Sequence, residues 1–260
     1  MRLPYITIPD LQLGPLPLHP FGMLVATGVI VGSSLALRRA PRAGLDRRKM
    51  ESLISWVLVA GFVLSHMLDE VMYRPAEVLA NPLQLLMIPK GISSFGGFIG
   101  ATVGALLWKL KTKERILPHL EQIAAVFPIS WIFGRAGCSV AHDHIGRVTT
   151  SFFGVDFPHG RRFDLGLLEM LLTIPLAAVI LWYARKPRPT GAIIGLLAML
   201  YAPIRFPLDA LRATDIVGAD ARYFGFTPGQ WLSIGLFVFG VAMLVYAYRR
   251  APKAETSAAA

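Results

Sequence analysis

The chain has 260 residues, of which 54% are hydrophobic and 16% charged, with 26 Lys and Arg against 16 Asp and Glu. A soluble domain carries about 25% charged residues, so a soluble globular protein is excluded and an integral membrane protein is expected. The net charge of +10 then reads as membrane topology and attraction to anionic lipid headgroups, with no nucleic acid as partner.

In chain order, the first element is residues 1–20, MRLPYITIPDLQLGPLPLHP. They lack the continuous apolar run and small-residue cleavage site of a secretory signal, which predicts an external arm lying on the bilayer surface. Apolar stretches follow, each near the ~20 residues that cross ~30 Å of hydrocarbon as a helix. They run from Phe21 to Leu37, Leu53 to Leu68, Ile92 to Leu110, Leu120 to Gly134, Leu165 to Ala184, Gly191 to Leu208 and Pro228 to Tyr248. The expected fold class is therefore all-α, a polytopic protein with seven transmembrane helices in a single transmembrane domain spanning residues 1–260. Residues 135–164 form the longest external segment, before the fifth span, and residues 250–260 a flexible cytoplasmic tail.

Seven spans put the termini on opposite sides, and charge decides which side is which. Arg38, Arg39, Arg42, Arg47, Arg48, Lys111, Lys186, Arg188, Arg249 and Lys253 share one face, where acidic residues are few. The positive-inside rule makes that face cytoplasmic, with the N-terminus outside and the C-terminus inside.

Polar motifs then gather at the external ends of the spans. LSHMLDEVMYRP closes the second with His66, Asp69 and Glu70, and KGISSFGGFIG opens the third with Ser93, Ser94, Gly96 and Gly97. GRAGCSVAHDHIGR, residues 134–147, packs two arginines, two histidines, an aspartate and the only cysteine against a greasy segment. LYAPIRFPLDALRATD leaves the sixth span with Tyr201, Arg205, Asp209 and Arg212, which recur every three or four residues and so share one helical face. TPGQWLSIGL opens the seventh. At the headgroup level these charges avoid the ~2.5 to 3.5 kcal/mol that each would cost at the bilayer centre. Arg135 and Arg205 each sit near the end of an apolar helix and need an anionic partner, either a lipid phosphate or a carboxylate such as Asp209 or Asp143. Arg147, Arg161 and Arg162 also read as plain interfacial anchors. Gly100 and Gly104 read as helix-packing positions, whereas Gly96 and Gly97 suit packing or ligand contact equally.

These landmarks resemble, in order and spacing, those of the bacterial prolipoprotein diacylglyceryl transferases, and the resemblance covers nearly the whole chain, including HPFGMLVATG at the first span. It implies an enzyme of the bacterial cytoplasmic (inner) membrane, surrounded by membrane lipids and needing no cofactor. Such an enzyme transfers the diacylglyceryl group of phosphatidylglycerol to the lipobox cysteine thiol of a preprolipoprotein and releases glycerol phosphate. By the same resemblance the family's signature falls on Gly134, Arg135, Gly137, Asp143, Gly146 and Arg147. The sixth-span motif falls on Tyr201, Arg205, Asp209 and Arg212. The sequence departs from the pattern at Cys138, where the family has asparagine, at Phe21, where it has tyrosine, and at Phe95, where it has histidine. RRFDLGLLE replaces a histidine-proline motif and keeps only Glu169. Those departures define the alternative, a non-catalytic lipid-binding protein or lipid transporter on the same fold.

The residues themselves suit thioether formation. Guanidinium groups stay charged and bind phosphate oxygens bidentately, so Arg135 and Arg205 suit headgroup binding and stabilisation of the leaving phosphate. The acceptor thiol, with a free pKa near ~8.5, needs a base, and His142 and His144, flanking Asp143, offer proton-transfer capacity from the external segment. His66 is a further candidate. The resemblance implies that Gly134, Gly137, Gly146, Arg147, Ser93, Ser94, Gly96, Gly97, Tyr201, Asp209 and Arg212 lie at the substrate. A metal site at His142, Asp143 and His144 lacks a further ligand at recognised spacing, so none is expected. Cys138 cannot form an internal disulfide and reads as a small packing residue or, alternatively, a nucleophile.

Overall fold

The computed structural model describes residues 3–14, 16–86, 93–216 and 219–251. The expected tail beyond residue 251, and Lys90 to Ile92 of the KGISSFGGFIG stretch, lie outside the described residues.

The helices are α1 (Pro20–Arg39), α2 (Arg47–Tyr73), the short α3 (Pro75–Ala80), α4 (Ser94–Thr112), α5 (Ile116–Ala141), α6 (Leu165–Tyr183), α7 (Ala192–Ala210) and α8 (Pro228–Arg250). Six of them, α1, α2 and α5 to α8, are long and apolar enough to cross a membrane. The protein is a polytopic membrane protein.

Several helices start where a side chain satisfies their orphan N–H groups. Asp46 accepts from the Lys49 amide at 3.0 Å to cap α2. Asp164 does the same for the Leu167 amide at the head of α6. At α8 a capping box forms between Thr227 and Gln230, with Pro228 in the first turn. The N-cap of α7 is Gly191, which has no side chain to offer. Its role is taken by Glu121 of α5, whose carboxylate accepts from the amides of Gly191, Ile193 and Ile194 at 2.8, 3.1 and 3.2 Å.

Two elements differ from the sequence expectation. The fourth span does not stop at Gly134: α5 continues to Ala141, which puts Arg135 and Cys138 on a helix. The external segment and the arm also contain strands, so the fold is helical with a small added sheet. They are β1 (Leu3–Pro4), β2 (Leu11–Leu13), β3 (Leu16–Leu18), β4 (Ile145–Val148), β5 (Gly154–Phe157) and β6 (Gly160–Asp164). One sheet has the order β1-β5-β6-β4, with β1 parallel to β5 and the remaining pairs antiparallel, and β2 with β3 makes a separate hairpin. Strands of two to five residues are too short to impose an alternating pattern that a sequence reading would detect.

The chain divides into two compact units, Met1–Ala36 with Leu120–Ala260, and Leu37–His119. In the second, Gly96, Gly100 and Gly104 of α4 lie so close to the backbone of α2 at Leu64, Ala60 and Trp56 that a Cβ at any of them would collide. Small residues let membrane helices approach closely. The first unit uses the same device between α7 and α8 at Gly195 and Gly240, and between α5 and α6 at Gly166, which abuts Cys138. Its core joins Ala125 of α5, Leu176 and Ile180 of α6, Ala184 just past the end of α6, and Ile193 of α7.

Candidate active site

Within the first unit, the end of α5, the first turns of α6, the end of α7 and the start of α8 bring a chain of charged side chains together. At its centre is Glu169 of α6, fully buried. Its Oε1 accepts from Trp131 Nε1 at 3.0 Å and from Tyr201 Oη, and lies 3.1 Å from Arg135 Nε. Its Oε2 accepts from Arg205 Nη1 at 2.5 Å. One carboxylate therefore engages both arginines that the sequence singled out.

The network extends from there along α7. Arg205 Nη2 donates to Asp209 Oδ1 at 2.8 Å, and Arg212 Nε donates to the same oxygen at 2.9 Å. The Thr227 hydroxyl, at the head of α8, donates to Asp209 Oδ2. Tyr201, Arg205 and Asp209 thus share one face of α7 despite Pro203 and Pro207, and Arg212, just past the end of the helix, reaches the same carboxylate.

On the α5 side, the Arg135 guanidinium lies over the Trp131 ring, 4.5 Å from its centroid. Its Nη1 is 3.3 Å from His144 Nε2 and 3.7 Å from Cys138 Sγ. His144 Nδ1 is 2.5 Å from Asp143 Oδ1. Because an arginine only donates, the network places the His144 proton on Nδ1, facing Asp143, and turns the Nε2 lone pair toward Arg135. Donor atoms of Cys138, Asp143 and His144 lie within 4.8 Å of one another, and the positive charge they meet is the Arg135 guanidinium.

His142 is turned elsewhere. Its backbone takes a left-handed conformation with φ of 50°. Its Nε2 donates to the Ile6 carbonyl at 3.0 Å, its Nδ1 is 2.7 Å from Asp164 Oδ2, and Tyr5 stacks on the ring. The ring clamps the N-terminal arm to the head of α6 and has no nitrogen facing Glu169 or the arginines. Burial raises the pKa of the Asp164 carboxyl, outweighing the Leu167 amide and His142, which pull it down. On the loop after α7, Asp215 accepts both Nη groups of Arg162, at 2.9 and 2.5 Å. That pairing holds the Asp215 carboxyl below its ordinary pKa.

The other expected positions divide between the units. Gly137 packs against Phe21 of α1, where an added Cβ would lie 3.0 Å from the ring. Gly146 is wedged between Phe163 of β6 and the Leu211 carbonyl, and the Arg147 amide donates to that same carbonyl. The Arg147 side chain is exposed, and an added Cβ at Gly134 would meet open space. Ser93, Ser94, Gly96 and Gly97 belong to the second unit, where Ser93 caps α4 and accepts from Ser65 Oγ through its carbonyl. His66 is buried in α2 of that unit.

Sequence reading left Glu169, Trp131 and Thr227 off the site. The available signal was Glu169 itself, the only charged residue of α6, LGLLEMLLTIPLAAVILWY. An ionisable residue inside an apolar span needs a partner.

Residues 10–246 match the model of the prolipoprotein diacylglyceryl transferase family. The chain is 30% identical over 293 aligned residues to the phosphatidylglycerol–prolipoprotein diacylglyceryl transferase of Shigella boydii serotype 4 (strain Sb227), an alignment covering 99% of this chain and 100% of that protein. The same identity and coverage hold for the enzyme of that name from Escherichia coli (strain K12 / DH10B). The chain belongs to the prolipoprotein diacylglyceryl transferase family.

Proposed function

We propose that this protein transfers the diacylglyceryl group of phosphatidylglycerol to the lipobox cysteine thiol of a prolipoprotein. In that reaction the acceptor sulfur forms a bond to the glyceryl carbon, that carbon's bond to the phosphate oxygen breaks, and glycerol phosphate leaves with the electron pair. The observation that carries this reading is the convergence of Arg135 and Arg205 on one buried carboxylate, in a chain aligned along its full length with named transferases. Two guanidiniums held side by side suit a phosphodiester, whose oxygens take charge-assisted hydrogen bonds and whose leaving group gains charge as the carbon–oxygen bond breaks.

His144 is the base in this account. Its Nδ1–H is oriented by Asp143, and its Nε2 accepts the thiol proton once the phosphate draws Arg135 Nη1 away. Tyr201, Asp209 and Arg212 extend the binding face, Gly137 and Gly146 allow the close approaches that shape it, and Gly134 and Arg147 lie at its border. His142 acts outside the chemistry, as the clamp on the arm, and Cys138 fills space against Gly166.

In this reading the protein sits in the bacterial inner membrane as one transmembrane domain, with α4 as the seventh span. Its 19 residues reach about 28 Å at ~1.5 Å per residue. The basic residues at the ends of α1 and α8 then lie in the cytoplasm, with the sheet and the site outside. The test is transfer from phosphatidylglycerol to a lipobox peptide by the purified protein. Growth of a bacterium depleted of its resident transferase is the cellular counterpart. Phosphatidylglycerol binding without any transfer would replace the enzyme with a lipid-binding protein.

A further inference from the structure

Two guanidiniums aimed at one phosphate repel each other until the phosphate arrives, and each hangs on a long flexible stem. Something must hold them at a fixed separation in the empty site. We infer that Glu169 is the positioning residue that does so, one carboxylate oxygen to each arginine. This rests on the reading of Arg135 and Arg205 as the phosphate ligands.

The geometry is specific to a positioning role. Glu169 is fully buried, so it is a bracket behind the arginines rather than a group open to substrate. Oε2 takes Arg205 Nη1 at 2.5 Å, and Oε1 faces Arg135 Nε at 3.1 Å. The carboxylate is itself locked, because Trp131 Nε1 and Tyr201 Oη both donate to Oε1. Its own turn of α6 is braced by Thr173 Oγ1, which donates to the Glu169 carbonyl at 2.7 Å. Trp131 serves twice, since the Arg135 guanidinium also lies over its ring. The two arginines come from different helices, α5 and α7, and Glu169 on a third fixes both. Supporting groups that lock such a constellation separate a present site from a working one.

The chemistry of the replacement predicts a distinctive kinetic signature. Glu169→Gln keeps size and polarity but offers one acceptor oxygen, and its amide presents N–H groups to a partner that only donates. One guanidinium is then released. The phosphate no longer competes with a carboxylate, so phosphatidylglycerol binds as well as before or better. The released arginine, however, sits off the line of the leaving oxygen. A misplacement of about 1 Å costs on the order of 10²-fold in rate.

The experiment measures kcat and KM for phosphatidylglycerol with the full-length protein in detergent and a lipobox peptide as acceptor. Wild type is compared with Glu169→Gln, Glu169→Asp and Trp131→Phe, each checked by thermal unfolding. The expected result is a fall in kcat of roughly 10²-fold for Glu169→Gln with KM unchanged or lowered. Glu169→Asp, too short to reach both arginines, should fall similarly. Trp131→Phe, which keeps an aromatic ring under Arg135 but loses the donor to Oε1, should lose kcat less. A structural role alone would lower the unfolding temperature without this split between kcat and KM. Should Glu169→Gln not accumulate, the other two variants carry the test. Wild-type kcat in Glu169→Gln, or a rise in KM at unchanged kcat, overturns the inference while leaving the arginines in place. Wild-type transfer by both Arg135→Ala and Arg205→Ala proteins would instead sink the phosphate reading beneath it.

Discussion

Nε2 of His144 lies 3.3 Å from Nη1 of Arg135, and its other ring nitrogen is held by Asp143 at 2.5 Å. The residue proposed to take the thiol proton and the residue proposed to bind phosphate are thus in contact before any substrate is bound. His144→Gln should slow the chemical step by ~10²- to 10⁴-fold, the usual worth of a general base, and leave phosphatidylglycerol binding largely intact. Raising the pH toward the thiol's free pKa of ~8.5 should rescue that variant in part, because more acceptor is then ionised without help. His142→Gln should leave the chemical step alone and weaken the arm's attachment, since that ring serves Ile6 and Asp164. Single-turnover transfer to a lipobox peptide at several pH values separates them. A His144→Gln protein at wild-type rate throughout removes His144 as the base.

Arg135→Ala and Arg205→Ala should each abolish useful transfer, since losing one partner of a desolvated charge pairing costs ~2 to 5 kcal/mol. Lysine should rescue neither fully. At Arg135 it loses the planar group that lies over Trp131 while contacting Glu169 and His144. At Arg205 it cannot span Glu169 and Asp209 with two nitrogens. Initial rates at saturating and limiting lipid, at matched abundance, check both.

Much of this site was legible in the sequence, and the reasons differ by residue. Arg205 and Asp209 were readable because helical spacing puts them on one face, and the two prolines did not break that registry, whereas Arg212 lies past the end of α7 and reaches Asp209 from there. Arg135 was readable as a charge at the edge of an apolar run. Glu169 was passed over because its partners come from α5 and α7, contacts between segments that no local pattern encodes. His142 and His144 looked equivalent in AHDHIG. They diverge because the chain turns at His142, in a left-handed conformation, which sends one ring to the arm and the other to Arg135. The helices followed from runs of hydrophobicity, whereas the sheet was hidden by strands too short to show their period.

The termini should lie on opposite sides of the membrane. Reporter fusions or cysteine labelling should find Arg42, Lys111 and Lys186 cytoplasmic and His144 and Asp215 external. An external Lys111 would remove α4 from the spans.

Asp164 gives stability a pH dependence of unusual sign for an aspartate. Its folded pKa is raised by burial, so between the ordinary value of ~3.9 and the raised one the folded protein holds more protons than the unfolded chain. Stability from this group is therefore complete below the unfolded pKa and lost as pH rises through the folded one. Asp215, lowered by Arg162, works the other way: its stability is present above the unfolded pKa and lost as pH falls through the folded one. Asp164→Asn, which keeps one acceptor oxygen for the Leu167 amide and presents its amide NH2 to His142 Nδ1, should delete the first slope and leave the second. Thermal unfolding in detergent, scanned from neutral pH down through and below the ordinary carboxylate value of ~3.9, reads both, and an unchanged profile in Asp164→Asn would contradict the assignment.

Gly229 tests whether the TPGQ turn exists to receive Asp209. A Cβ at Gly229 would sit 2.6 Å from Asp209 Oδ2 and 2.9 Å from Oδ1, so only glycine lets the carboxylate reach the head of α8. There Asp209 accepts from Thr227 and meets the positive end of the helix. Gly229→Ala should cost ~1 to 3 kcal/mol of stability by overpacking. It should also lower transfer, because the displaced carboxylate no longer holds Arg205 Nη2. Combining it with Asp209→Ala makes the claim sharp. If Gly229 matters only by making room for Asp209, the double variant should be no worse than Asp209→Ala alone, a coupling of the size expected for residues in contact. Strictly additive losses would mean that Gly229 serves something other than Asp209, and the link from α8 through Asp209 to Arg205 would lose its support.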